Sequence, residues 1–196
     1  MAANTQLFMR RPGLSDLPSL PELPEVYQVR IAEQADAGAL AAVLASAFVP
    51  EWTLEHVHAK LLDSPDVVRT WMIWAGDEPA ATASARLLPD AYPSSGYLHW
   101  VGTHRDHQGK RRGAVVTLAV LHDFRQMGCR DAVLETDPPR LPAIRTYLHL
   151  GFRPEYRAAG EDLVWADILA RIESYHADGG KMPPANDRPV TRGRTG

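Results

Sequence analysis

Between residues 98 and 154 the chain places polar and basic groups where they can meet a charged ligand. LHWVGTH reads as a strand, RDHQGKRRG as a short polar loop, and AVVTLAVLHDF as a helix into which the loop opens directly. Peptide N–H groups at a helix start have no intrahelical acceptor and lie at the positive end of the helix dipole. A loop of this kind holds phosphate well, and Lys110, Arg111 and Arg112 add charge. It is not a P-loop, because its second glycine is not followed by Lys-Ser/Thr, and no G-x-G-x-x-G run follows the strand. Composition alone leaves a solvated basic turn as an open alternative. The single cysteine, Cys129, follows a helix-ending glycine and is expected to serve packing. His56 and His58 point apart on a helix, and His104 and His107 lack a carboxylate at a recognisable spacing, so no metal site is expected.

These groups must be held by a folded unit, and the composition supports one. Of 196 residues, 45% are hydrophobic and 23% charged, with a net charge of −3, an ordinary globular balance. That charge gives no reason to expect nucleic acid as partner. No apolar run approaches the ~20 residues of a membrane helix, and no signal-peptide pattern follows Met1. With one cysteine, a reducing, cytoplasmic setting is expected.

Residues 1–25 carry Pro12, Pro18, Pro21 and Pro24 and read as an extended arm outside the packed core. Residues 176–196 are rich in glycine, proline and arginine and read as a disordered tail. The folded unit is expected over 26–175. Strands are predicted at 26–32, 67–75, 80–88, 97–104, 131–136 and 152–156. Helices are predicted at 36–48, 53–62, 113–127, 140–150 and 162–175. Trp71, Trp74 and Trp100 fall in strands, where sheet-face packing is expected. A hairpin-containing sheet followed by two strand–helix crossovers gives an α/β fold with a mixed, mostly antiparallel central sheet flanked by helices.

Two motifs at this spacing resemble the GCN5-related N-acetyltransferase (GNAT) family over residues 26–156. The family's acetyl-coenzyme A signature, Gln/Arg-x-x-Gly-x-Gly/Ala, is similar to Gln108-Gly109-Lys110-Arg111-Arg112-Gly113, with Arg111 at its first glycine. Its later signature, Asn-x-x-Ala-x-x-x-Tyr then Gly-Phe, is similar to Arg140-Leu-Pro-Ala143-Ile-Arg-Thr-Tyr147 then Gly151-Phe152, with Arg140 for the asparagine. An arginine at position 111 is tolerable if it keeps a negative φ, and the helix around Trp165 is expected to replace the last strand of the family's sheet.

The resemblance implies an acetyltransferase with acetyl-CoA as co-substrate and no metal. The acceptor is a small-molecule amine or a protein N-terminus, attacked directly in a ternary complex. Amides from Gln108 to Ala114 would hold the pyrophosphate, the backbone at Val101 and Thr103 the pantetheine, and Arg140 a further cofactor contact. Tyr147 would protonate the departing thiolate. The base is open between His99, Glu135 and a water relay. A catalytically silent acyl-CoA binding protein of the same fold is the alternative. A homodimer through the C-terminal helix is left open.

Overall fold

The computed structural model describes residues 6–48 and 51–177, without the side chains of 175–177. Seven strands form one sheet in the order β2-β3-β4-β5-β6-β1-β7. They are β1 (Leu7–Arg11), β2 (Tyr27–Ile31), β3 (Val67–Ala75), β4 (Glu78–Leu87), β5 (Ser95–Thr103), β6 (Asp131–Thr136) and β7 (Arg153–Pro154). Every pairing is antiparallel except β5 with β6. The predicted mixed, mostly antiparallel sheet is therefore the observed one. The helices are α1 (Ala37–Ala47), α2 (Leu54–Val57), α3 (Arg112–Gln126), α4 (Leu141–His149) and α5 (Glu161–Ala177). None of the described helices is long and apolar enough to cross a membrane.

The two sheet faces bury different sets of side chains. Val116, Val120 and Phe124 of α3, Ile144 of α4, and Trp165 and Ile168 of α5 pack with Ala81, Ala83 and Ala85 of β4 in the larger core. Leu40 and Leu44 of α1 and Val57 of α2 pack with Met72 in a second core on the opposite face. The small side chains of β4 let α3 lie close to the sheet. The approach is tightest at Gly96 of β5, where an added Cβ would fall 2.2 Å from Cγ of the fully buried Phe124. Phe124 cannot swing away from a clash at its own Cγ, so Gly96→Ala is expected to destabilise the fold by about 1–3 kcal/mol. Chemical denaturation would read this directly, and an unchanged midpoint would contradict it.

The N-terminal segment corrects the reading of residues 1–25 as an arm outside the core. Leu7, Phe8 and Met9 are almost completely buried, and β1 lies between β6 and β7. Leu7 and Met9 enter the larger core while Phe8 joins Tyr97 and Val133 on the other face. The two arginines of LFMRR are held by partners. Arg10 donates to Glu155 at 2.5 Å and to Asp131 at 3.0 Å, and Arg11 donates to the Leu150 carbonyl at 2.8 Å. The expected replacement of a last strand by the Trp165 helix is corrected with it. That helix packs on the larger core, and the N-terminal strand inserts beside β6, leaving the short β7 at the edge of the sheet.

Smaller differences have local causes. The strand predicted over 152–156 shrinks to two residues, because only Arg153 and Pro154 find partners on β1. The helix predicted over 53–62 changes at His58 into a π-helical turn, His58–Leu62, closed by the Asp63 amide on the His58 carbonyl. α5 is described as far as Ala177, two residues into the predicted tail of 176–196, and the rest of that tail lies outside the described residues.

Candidate active site

The sheet opens in its middle. β5 and β6 pair only from Ser95 to Tyr97 against Asp131 to Val133, and beyond that point the two parallel strands part. A backbone irregularity in β5 lies at the opening. Thr82 and Ser84 of β4 face Gly102 and His99 of β5, so two steps on one strand oppose three on the other. The extra residue makes a β-bulge at Trp100–Val101, and Trp100 takes φ +46°. A bulky residue adopts that conformation only when its surroundings impose it. Neighbouring strand residues ordinarily face opposite ways, but the bulge puts the His99 and Trp100 rings 5.0 Å apart on one face. Val101 turns to the larger core.

Beyond β5 the chain makes a short turn and enters α3 through Gly109 (φ +74°) and Arg111 (φ +60°). The condition of a negative φ at Arg111 is not met. The arginine takes the left-handed conformation itself, at a cost on the order of 1 kcal/mol. The N–H groups of residues 109–114 have no acceptor among the described residues, while those of His107 and Gln108 bond to the turn. An added Cβ at Gly113 would stand 3.1 Å from Thr103 Oγ1, so the absence of a side chain lets α3 begin directly beside the end of β5.

The structure gathers some of the sequence-predicted residues around this helix start and turns others away. Lys110 is exposed and donates to the Asp106 carbonyl at 3.0 Å, and Arg111 is exposed at the loop tip. Arg112 points inward instead. It is buried, its guanidinium lies 3.7 Å from the Tyr27 ring centre, and its Nε has no acceptor. Arg140 crosses the opening between β5 and β6. Its Nη2 donates to the Val101 carbonyl at 3.3 Å while its guanidinium stacks 4.0 Å from the Phe48 ring.

Tyr147 stands on α4, buried beside Phe152 at 5.9 Å, and its hydroxyl has no hydrogen-bond partner among the described residues. Burial raises its pKa, against a smaller opposing effect of Arg140, so the phenol keeps its proton at neutral pH. Glu135 is exposed and accepts from the Tyr97 hydroxyl at 3.1 Å. Cys129 packs against the larger core, and burial followed by the Asp131 charge pushes its thiol pKa up.

His99 is the most perturbed histidine of the site. Burial, then the charges of Arg86 and Lys60, press its pKa down to about 4, with Asp66 opposing. The imidazole is therefore neutral across the physiological range. The folded state resists a proton that the unfolded chain accepts near pH 6.5, so the stability that neutral His99 represents is complete above that pH. It is lost as pH falls from about 6.5 towards 4, up to about 3 kcal/mol in all. His99→Gln is expected to flatten this part of the pH–stability curve. A wild-type His99 ring that titrates near 6.5 by NMR would contradict the assignment.

Sequence reasoning missed an aromatic wall on this face. Rings follow one another from Phe48 to Trp100 (5.2 Å), Trp100 to Trp52 (4.6 Å), and back through His99 to Tyr97 (5.6 Å). Lys60 lies over it, its Nζ 5.5 Å from the Trp52 ring and 5.7 Å from the Trp100 ring. Part of the signal was present in the spacing: Trp52, His56 and Lys60 recur every fourth residue, with Trp52 just ahead of the helix N-cap Thr53.

A mixed sheet parted between two parallel strands, with a helix start of free amides beside the gap, defines the acyltransferase class of α/β fold. The family described as "Acetyltransferase (GNAT) family" matches residues 38–152, and the chain belongs to it. Mycothiol acetyltransferase of Nocardia farcinica (strain IFM 10152) is 34% identical over 71 residues, 36% of this chain and 23% of that protein. Among solved structures, an acetyltransferase from the GNAT family of Colwellia psychrerythraea superposes with a TM-score of 0.61 at 16% identity, over 76% of this chain and 52% of that one. A GCN5-related N-acetyltransferase from Kribbella flavida gives 0.56 at 23% identity, over 76% and 55%. The chain thus spans about half the length of these structures and under a quarter of the curated relative. At these identities the structures establish the fold.

Proposed function

We propose that the chain transfers the acetyl group of acetyl-CoA to a primary amine by direct attack in a ternary complex. The observation that carries this reading is the run of amides from Gly109 to Ala114, without acceptors, leading into the 15-residue helix α3 beside the open edge of β5. Free N–H groups at a helix start, with Lys110 and Arg111 at the rim, fit a pyrophosphate. Gln108 closes the preceding turn, and the buried Arg112 adds positive charge behind the loop. The fit is good at this end of the site.

When bound, acetyl-CoA supplies an activated thioester carbonyl and a thiol leaving group. The backbone of Val101 and Thr103 lies on the stretch of β5 that β6 leaves without a partner, where an extended ligand can add as a strand. In this reading an N–H near Val101 polarises the thioester carbonyl. Neutral His99 accepts the proton of the attacking amine as the new C–N bond forms. The C–S bond then breaks, and the Tyr147 phenol gives its proton to the departing sulfur. A base whose pKa is held near 4 draws a proton weakly, so its part is that of a positioned acceptor or the first member of a water relay. The single cysteine and the cytosolic nature of the co-substrate fit a cytoplasmic protein.

One observation favours a silent binding protein. Arg140 already holds the Val101 carbonyl, and it must yield or share that atom when a ligand lies along β5. Two measurements decide. Calorimetric titration with acetyl-CoA is expected to give saturable heat below millimolar concentration, and no heat would refute the phosphate site. Thiol release over a panel of amines then separates transferase from binder.

A further inference from the structure

The aromatic wall on the α1/α2 face carries positive charge that the protein leaves unmatched. Lys60 is exposed, rests against the Trp52 and Trp100 rings, and has no carboxylate within ion-pair distance among the described residues. The neighbouring Arg86 differs, since Asp66 neutralises it. An ammonium packed on two indoles is held in place by the rings, so its charge stays available to a ligand. The indole Nε1 of Trp100, buried behind the same wall, also has no hydrogen-bond partner among the described residues. The π-helical turn that carries Lys60 is a distortion of the kind that recurs at binding sites. Donors without acceptors select an anion, and planar rings select a planar apolar group.

Resting on the transferase reading above, we propose that the acceptor is an aromatic amino-carboxylate, a primary amine that bears both a carboxylate and a flat apolar group. Lys60 binds the carboxylate, and the flat group lies against Trp100. The amine is then left facing His99, which sits beside Trp100 on the bulge. Lys60 is a specificity-determining residue in this arrangement, because it distinguishes the amino-carboxylate from the corresponding simple amine.

The test titrates the full chain, in the presence of coenzyme A, with L-phenylalanine, phenethylamine and L-alanine, read by tryptophan fluorescence. L-Phenylalanine is expected to bind about tenfold more tightly than phenethylamine, the worth of one charge-assisted contact. Lys60→Met should remove that preference and Lys60→Arg should restore most of it. Equal or tighter binding of phenethylamine to the wild type overturns the proposal, as does a Lys60→Met variant that weakens both ligands alike. L-Alanine binding as well as L-phenylalanine overturns the aromatic part. Absence of saturation by every amine at about 10 mM also overturns it, and a saturable acetyl-CoA titration in the same preparation leaves the transferase reading standing.

Discussion

Replacing Tyr147 by phenylalanine is expected to lower kcat at least about 100-fold, the lower end of what a positioned general acid contributes. That loss corresponds to about 2.7 kcal/mol of barrier. Structure and stability should change little, for a reason visible in the packing. The ring is buried against Phe152 and phenylalanine fills the same space, while the hydroxyl that disappears has no hydrogen-bond partner among the described residues. A purely structural tyrosine would give the opposite pattern, with turnover kept. KM for acetyl-CoA should stay within about twofold, because an interaction made only in the transition state leaves ground-state binding alone. Burial holds the phenol protonated, so no fall in activity from its ionisation is expected as pH rises to 9. A variant with full turnover would remove the acid role and leave the departing thiolate to solvent.

The chemistry-bearing half of the chain was legible because its signals are local. Gly109 and Gly113 mark the turn into α3, Gly128 and Gly151 close two helices, and the apolar periodicity between them is regular. What could not be read is what depends on distant contacts. The bulge at Trp100 is invisible in LHWVGTH, since nothing in seven alternating residues says that β4 will be one residue short against it. Arg111 breaks the usual rule that glycine takes a left-handed position, and only the fold's demand on the helix entrance explains its φ. The direction of Arg112 towards Tyr27 depends on a strand some 85 residues earlier in the chain. Lys60 shows the same limit in the acceptor wall: its spacing from Trp52 is in the sequence, but its lack of a carboxylate partner is not.

Deleting residues 1–12 is expected to abolish cooperative folding, and this is the largest effect on stability that the architecture implies. LFMRR resembles no ordinary strand, with its two arginines and a proline directly after them, yet it carries three of the most deeply buried side chains in the protein. At about 1.5–3 kcal/mol for each buried apolar side chain, Leu7, Phe8 and Met9 together contribute roughly 5–9 kcal/mol, comparable with the whole stability of a typical domain. Their loss also leaves β6 and β7 without the strand that pairs with both, and frees Glu155 and Asp131 from Arg10. Unpaired edges in the middle of a sheet invite association, so the truncated chain should be recovered mostly as aggregate. Met9→Asp makes the same point with one substitution, placing a carboxylate at a site with no exposure among apolar side chains. Because β1 pairs with residues some 130 positions later in the chain, refolding of the intact chain should be slow for its size. A truncated protein that unfolds at the wild-type denaturant midpoint would show that the strand only covers the sheet. A synthetic peptide of residues 6–16 that restores a cooperative transition to the truncated chain would show that it completes the sheet.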